Sequence, residues 1–130
     1  MKILVIEDSK FLRHAVERGL AKAGYIVKTA GDGVQGVQAV RETIPDLILL
    51  DMMLPGLSGL EVLQQLKQEA STASIPVIVL TALSERNREK LLNDGASAYV
   101  EKSDKLLENN CAALADAILR VIGKTKAAKA

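Results

Sequence analysis

The sequence has 130 residues, 48% of them apolar and 25% charged, with a net charge of +1, which is the balance of one folded domain that can bury a core without disulfide or metal staples. Three lysines (Lys124, Lys126, Lys129) fall in the last seven positions, so acids outnumber bases over the rest. The only aromatics are Phe11, Tyr25 and Tyr99, which argues against direct nucleic-acid binding. The Val/Ile/Leu runs are four residues long, too short to cross a bilayer, and a single cysteine excludes an internal disulfide and fits a cytoplasmic protein.

The first apolar run, Ile3–Ile6, reads as a strand and stops at Glu7-Asp8, too early for a signal peptide. Ser9 or Asp8 then caps a helix whose stripe is Phe11, Ala15 and Leu12, Val16, Leu20, ended by Gly24. Tyr25–Ala30 is a second strand. Val34 and Val37 open a weaker helix containing Gly36, closed before Pro45. Leu47–Leu50 is a third strand, continuous in Leu and Ile as expected when both faces are buried. Ser58-Gly59-Leu60-Glu61 has the form of a capping box ahead of Leu60, Leu63 and Leu66. Val77–Leu80 is a fourth strand. Ser84 to Asp94 is a mostly polar fourth helix anchored by Leu91-Leu92, and Ala98–Val100 a fifth strand. The last helix carries Leu107, Cys111, Leu114, Ile118 and Val121 at spacings of four and three, which makes Cys111 a buried, inert thiol. Residues 1–123 form one domain, and 124–130 a basic flexible tail. Strands alternating with helices predict an α/β fold with a parallel sheet, helices on both faces and right-handed crossovers.

In such sheets the chemistry gathers beyond the carboxyl ends of the strands. The predicted strands end in Glu7-Asp8, in Asp51, in Thr81 and in Glu101-Lys102. Three converging carboxylates repel one another unless a cation intervenes, and oxygen ligands of this kind suit Mg2+. A divalent ion beside a lysine and a hydroxyl is equipment for a phosphoryl group. A carboxylate placed there can attack phosphorus and carry an aspartyl phosphate, and Asp51, on the central strand, is the candidate.

Glu7-Asp8, the run Pro45-Asp46-Leu47-Ile48-Leu49-Leu50-Asp51, Pro55-Gly56, Gly59, Thr81-Ala82 and Lys102 together resemble the receiver domain of two-component response regulators, of the chemotaxis-type single-domain form. The resemblance covers residues 1 to about 123. It implies a doubly wound, flavodoxin-like five-stranded sheet of order 2-1-3-4-5 with five helices. It also implies phosphotransfer from a histidine kinase or phosphotransfer protein to Asp51. Asp8 and Asp51 would hold Mg2+, with Glu7 acting mainly through a bound water and the Met53 backbone carbonyl completing the set. Lys102 would pair with the phosphoryl group, Thr81 would swing toward it, and Tyr99 would follow as an aromatic switch. A downstream protein would bind the face made by the fourth helix, fifth strand and fifth helix. The chain would catalyse only its own phosphorylation and dephosphorylation, as a signalling phosphoacceptor in the cytoplasm with no membrane partner. One departure is Ser103, where the family usually has proline after the lysine. A cis bond before a non-proline residue costs about 2.5–4 kcal/mol, so a trans Lys102–Ser103 bond is expected, with Lys102 still reaching the site.

Other readings compete. Gly31-Asp32-Gly33-Val34-Gln35-Gly36 matches the G-x-G-x-x-G of dinucleotide-binding proteins, but it follows the second strand and Asp32 would repel pyrophosphate. A flavin mononucleotide protein would not begin its first loop with Glu7-Asp8, and an aspartyl phosphatase would want an acid where Met53 stands. A receiver-fold scaffold that works without phosphorylation is the alternative from a different class. Met53 and Leu83 are expected to border the approach of the water that would hydrolyse an Asp51 phosphate.

Overall fold

Five short runs of β-branched and leucine residues pair in parallel to make the sheet. They are β1 (Lys2–Ile6), β2 (Ile26–Ala30), β3 (Leu47–Asp51), β4 (Val77–Thr81) and β5 (Ala98–Glu101), in the spatial order β2-β1-β3-β4-β5. The structure is a computed structural model that describes residues 1–81, 92–103 and 106–129, with side chains as far as Gly123. Every residue of β3 and β4 is buried, whereas the edge strands β2 and β5 are largely part-exposed. Ile3 pairs with both Val27 and Leu47, and Ile48 with Val77, so the apolar runs stack in register across the sheet.

The two-residue period of each strand divides the core into two layers. Leu4, Ile6, Ile48, Leu50, Val77 and Val79 face α2 (Gly33–Thr43) and α3 (Gly59–Gln68). Ile3, Val5, Leu47, Leu49, Ile78 and Leu80 face α1 (Lys10–Lys22) and the C-terminal helix (Glu108–Lys129). This is the doubly wound, flavodoxin-like arrangement the resemblance implies. Four helices are described where five were expected, because Ser84–Leu91 of the predicted fourth helix lie outside the described residues.

Local sequence explains where the helices start. The hydroxyls of Ser9 and Ser58 accept from the N–H groups of Leu12 (3.3 Å) and Glu61 (3.2 Å), and the Asp32 carboxylate accepts from Gln35 N–H at 2.7 Å. Asp32 therefore caps α2. The second and third glycines of the G-x-G-x-x-G match serve packing. A Cβ on Gly33 would sit 2.7 Å from the Leu57 carbonyl oxygen, and one on Gly36 2.7 Å from Ile6 Cδ1.

Two expectations about burial are corrected. Phe11 is 75% exposed, because the stripe of α1 that meets the sheet runs through Val16, Gly19 and Leu20. Cys111, Leu114, Ile118 and Val121 of the C-terminal helix are buried as the spacing predicts, but the series does not run as one right-handed stripe from Leu107. Asn109, Asn110 and Cys111 hold left-handed φ angles of 53°, 56° and 63°, and Leu106 is more deeply buried than Leu107. Cys111 is buried as expected, and Gly19 admits this turn, since a Cβ there would lie 2.7 Å from Cys111 Sγ. The helix continues to Lys129, through residues that the sequence sets apart as a tail.

Candidate phosphoryl-transfer site

The parallel sheet sends the ends of β1, β3, β4 and β5 to one pole. Asp51 is the last residue of β3 and is 1% exposed, and Thr81, the last of β4, is 2% exposed. Glu7 follows β1 and is fully buried, while its neighbour Asp8 is exposed. Lys102 follows β5, and its N–H donates to the Thr81 carbonyl at 2.8 Å, which fixes where its side chain starts. From there the Lys102 ammonium lies 2.7 Å from Glu7 Oε1 and 2.9 Å from Asp51 Oδ1. The Lys102–Ser103 bond is trans, as Ser103 led one to expect.

One carboxylate oxygen from each of Glu7, Asp8 and Asp51 lies within 4.8 Å of the other two. Asp51 Oδ1 also accepts from the Met53 N–H at 3.1 Å, but the buried Asp51 Oδ2 has no hydrogen-bond partner among the described residues. A buried carboxylate oxygen left unsatisfied beside two more carboxylates is costly unless a cation or a donor arrives there. The all-oxygen donor set and the orphaned Oδ2 fit Mg2+. Tyr99 packs half-buried against the α2/α3 layer, and Met53 is 71% exposed at the mouth of the site. Leu83, its expected companion, lies outside the described residues. His14 is exposed on the polar face of α1.

Burial, with the neighbouring Asp51 carboxylate adding to it, pushes the Glu7 carboxyl up to about 7 against the smaller opposing pull of Lys102. Burial alone would lower the Lys102 ammonium, but Glu7 and Asp51 outweigh it and hold it above its ordinary value. The Glu7 shift has a testable sign. Between its ordinary 4.5 and about 7 the folded protein binds more protons than the unfolded chain, so this group's stabilisation is complete below 4.5 and is lost as pH rises through 7. In chelator, Glu7→Gln is therefore expected to flatten the fall in denaturant midpoint between pH 5 and 8. An unchanged slope would place the proton elsewhere.

Sequence reasoning missed Arg13, whose Nη1 donates to the Glu7 backbone carbonyl at 2.9 Å. Nothing in an exposed-looking helical arginine announces a backbone acceptor six residues earlier.

Comparison with known proteins agrees with this geometry. Residues 3–109 match the family described as response regulator receiver domain. The chain is 44% identical over 102 residues to the phosphate regulon transcriptional regulatory protein PhoB of Klebsiella pneumoniae, covering 78% of this chain and 44% of that protein. It is 42% identical over 101 residues to hybrid signal transduction histidine kinase D of Dictyostelium discoideum, covering 77% of this chain and 6% of that protein. It thus spans less than half the length of these curated relatives. Its fold overlays the chemotaxis response regulator CheY4 of Vibrio cholerae with a TM-score of 0.83 at 26% identity, over 92% of this chain and 97% of that one.

Proposed function

The chain belongs to the response regulator receiver domain family, and on that premise we propose that it is the phosphoacceptor of a two-component system, taking a phosphoryl group from a histidine kinase or phosphotransfer protein onto Asp51. The observation that carries this reading is the buried Asp51 carboxylate, with Oδ2 unpartnered among the described residues and the Lys102 ammonium 2.9 Å from Oδ1. In the transfer, an Asp51 oxygen forms the new O–P bond as the P–N bond to the donor imidazole breaks, and the imidazole leaves neutral after gaining a proton. Glu7, Asp8, Asp51 and the Met53 backbone carbonyl would hold Mg2+, which when bound neutralises phosphoryl oxygens. Lys102 pairs with the transferred group, and the Thr81 hydroxyl donates to it.

The same reading assigns the output to the far side of β5. A groove of about 540 Å³ there is lined by Leu92, Ser97, Tyr99, Ala113, Ala117 and Arg120, between β5 and the C-terminal helix. Thr81 and Tyr99 would carry the change toward a downstream protein, within the limit set by how differently the two states bind the phosphoryl group. No helix among the described residues is long and apolar enough to cross a membrane.

Intact-mass measurement after incubation with acetyl phosphate and Mg2+ tests the reading. The parent is expected to gain one phosphoryl group, lost when chelator replaces Mg2+, and Asp51→Asn to gain none. An adduct of equal yield on Asp51→Asn, or one formed in chelator, would remove Asp51 and the metal from the account. No adduct on the parent would favour the phosphorylation-independent scaffold.

A further inference from the structure

We propose that Arg13 is a positioning residue for the acidic pair Glu7-Asp8, acting through the peptide group between them. The inference rests on the metal reading above and goes beyond it. That stretch of backbone is tied on two sides. Glu7 N–H donates to the Ala30 carbonyl at 3.1 Å, as the last rung from β1 toward β2, and the Glu7 carbonyl accepts from Arg13 Nη1 at 2.9 Å. The side chains at the pair are held very differently. Glu7 is buried against Lys102, whereas Asp8 is exposed and makes no hydrogen bond among the described residues. The direction in which Asp8 projects is therefore set by its backbone, and the peptide leading into it is the one Arg13 grips.

The guanidinium has its own seat. It lies over Gly31, at the end of β2, where an added Cβ would sit 3.1 Å from Nη1. Gly31 does not hold a left-handed φ, so contact with Arg13 is the main objection to a side chain there. Arg13 is itself anchored in the first turn of α1, its N–H donating to the Ser9 carbonyl at 2.8 Å. The result is a clasp joining α1, the acidic loop and the β2 terminus. It accounts for the first glycine of the G-x-G-x-x-G match, which packing between helices does not explain.

Charge and geometry predict opposite signs. Arg13 is a permanent cation bound to the backbone of the acidic pair, so deleting it on charge grounds alone strengthens binding of a second cation. If Arg13 positions the pair, deleting it weakens binding, and loss of outer-shell support for metal ligands is typically worth about 10–100-fold. Mg2+ affinity by calorimetry on the purified chain decides between them. Arg13→Ala is expected to bind Mg2+ about tenfold more weakly than the parent. Arg13→Lys, which keeps one donor, is expected to recover part of the loss. Gly31→Val, which displaces the guanidinium, is expected to weaken binding in the parent but to add nothing to Arg13→Ala. In chelator the Asp8 amide resonance should move in Arg13→Ala, because its N–H belongs to the same peptide.

Equal or tighter Mg2+ binding by Arg13→Ala overturns the proposal, and so does a Gly31→Val effect that persists without Arg13. Should Arg13→Ala fail to fold, Arg13→Lys and Gly31→Val decide on the same criteria. A parent that binds no Mg2+ overturns this inference together with the metal reading. A parent that binds normally beside unchanged variants overturns this inference alone.

Discussion

Gly59→Ala is expected to destabilise the protein by about 3 kcal/mol or more, the upper end of the cost of overpacking. A Cβ at this position would lie 2.3 Å from the Asp51 carbonyl oxygen and 2.5 Å from Met52 Cα. Both are backbone atoms, so no rotamer change relieves the contact. Gly59 is also the first residue of α3, and its N–H donates to the Met52 carbonyl at 3.1 Å. Accommodating a methyl group means prising α3 from the loop that follows Asp51. A fall in melting temperature on the order of 10 °C follows for a domain of this size. Gly56→Ala is the control. Gly56 has a φ of 73° with open space around the missing Cβ, so its cost is conformational only, about 1–2 kcal/mol. If the two substitutions cost the same, the loop after Asp51 has slack and the close approach of α3 is not needed.

Lys102→Met is expected to cost about 3 kcal/mol at pH 8 in chelator, the typical loss when one member of a buried ion pair is removed. It strands two buried carboxylates, Glu7 and Asp51, that now share the ammonium. The loss should shrink at pH 5, where Glu7, already raised to about 7, takes up a proton and the repulsion falls. It should also shrink in saturating Mg2+, which binds the folded state and restores positive charge beside the carboxylates. Denaturant midpoints at both pH values, with and without Mg2+, measure all three effects. A loss that is the same in every condition would mean that the Lys102 stem contributes by packing and the ammonium does not.

The sequence made the sheet legible because β3 and β4 are buried on both faces, and continuous apolar runs such as Leu47–Leu50 and Val77–Leu80 have few other structures open to them. The site was legible for the same reason. Once a run is a strand, the residue that ends it is placed, and Glu7, Asp51, Thr81 and Lys102 each stand at or just past a strand end. What failed was the choice between neighbouring stripes of one helix. Phe11 and Ala15 share the spacing of Val16 and Leu20, and only the sheet beneath decides which pair faces in. The left-handed turn at Asn109–Cys111 was hidden for a related reason. Spacings of four and three describe a right-handed helix, yet Cys111 is also buried when the backbone turns the other way onto Gly19. Arg13 was illegible because its acceptor is a carbonyl, and every residue has one.

The strand order also bears on assembly during synthesis. β1 pairs with β2 and β3, after which β4 and β5 add in sequence to a single growing edge. A ribosome delivers these strands in a workable order, since none must wedge between two that are already joined once β3 has docked. The carboxylates of Glu7 and Asp51 come together with β3, but their ammonium arrives only after β5, the last strand to emerge. A nascent chain halted before Lys102 would hold the acidic pair without its built-in counter-charge. Until then a proton or a divalent ion from the medium would have to stand in, and the ionic conditions around the emerging chain would bear on how readily its centre closes.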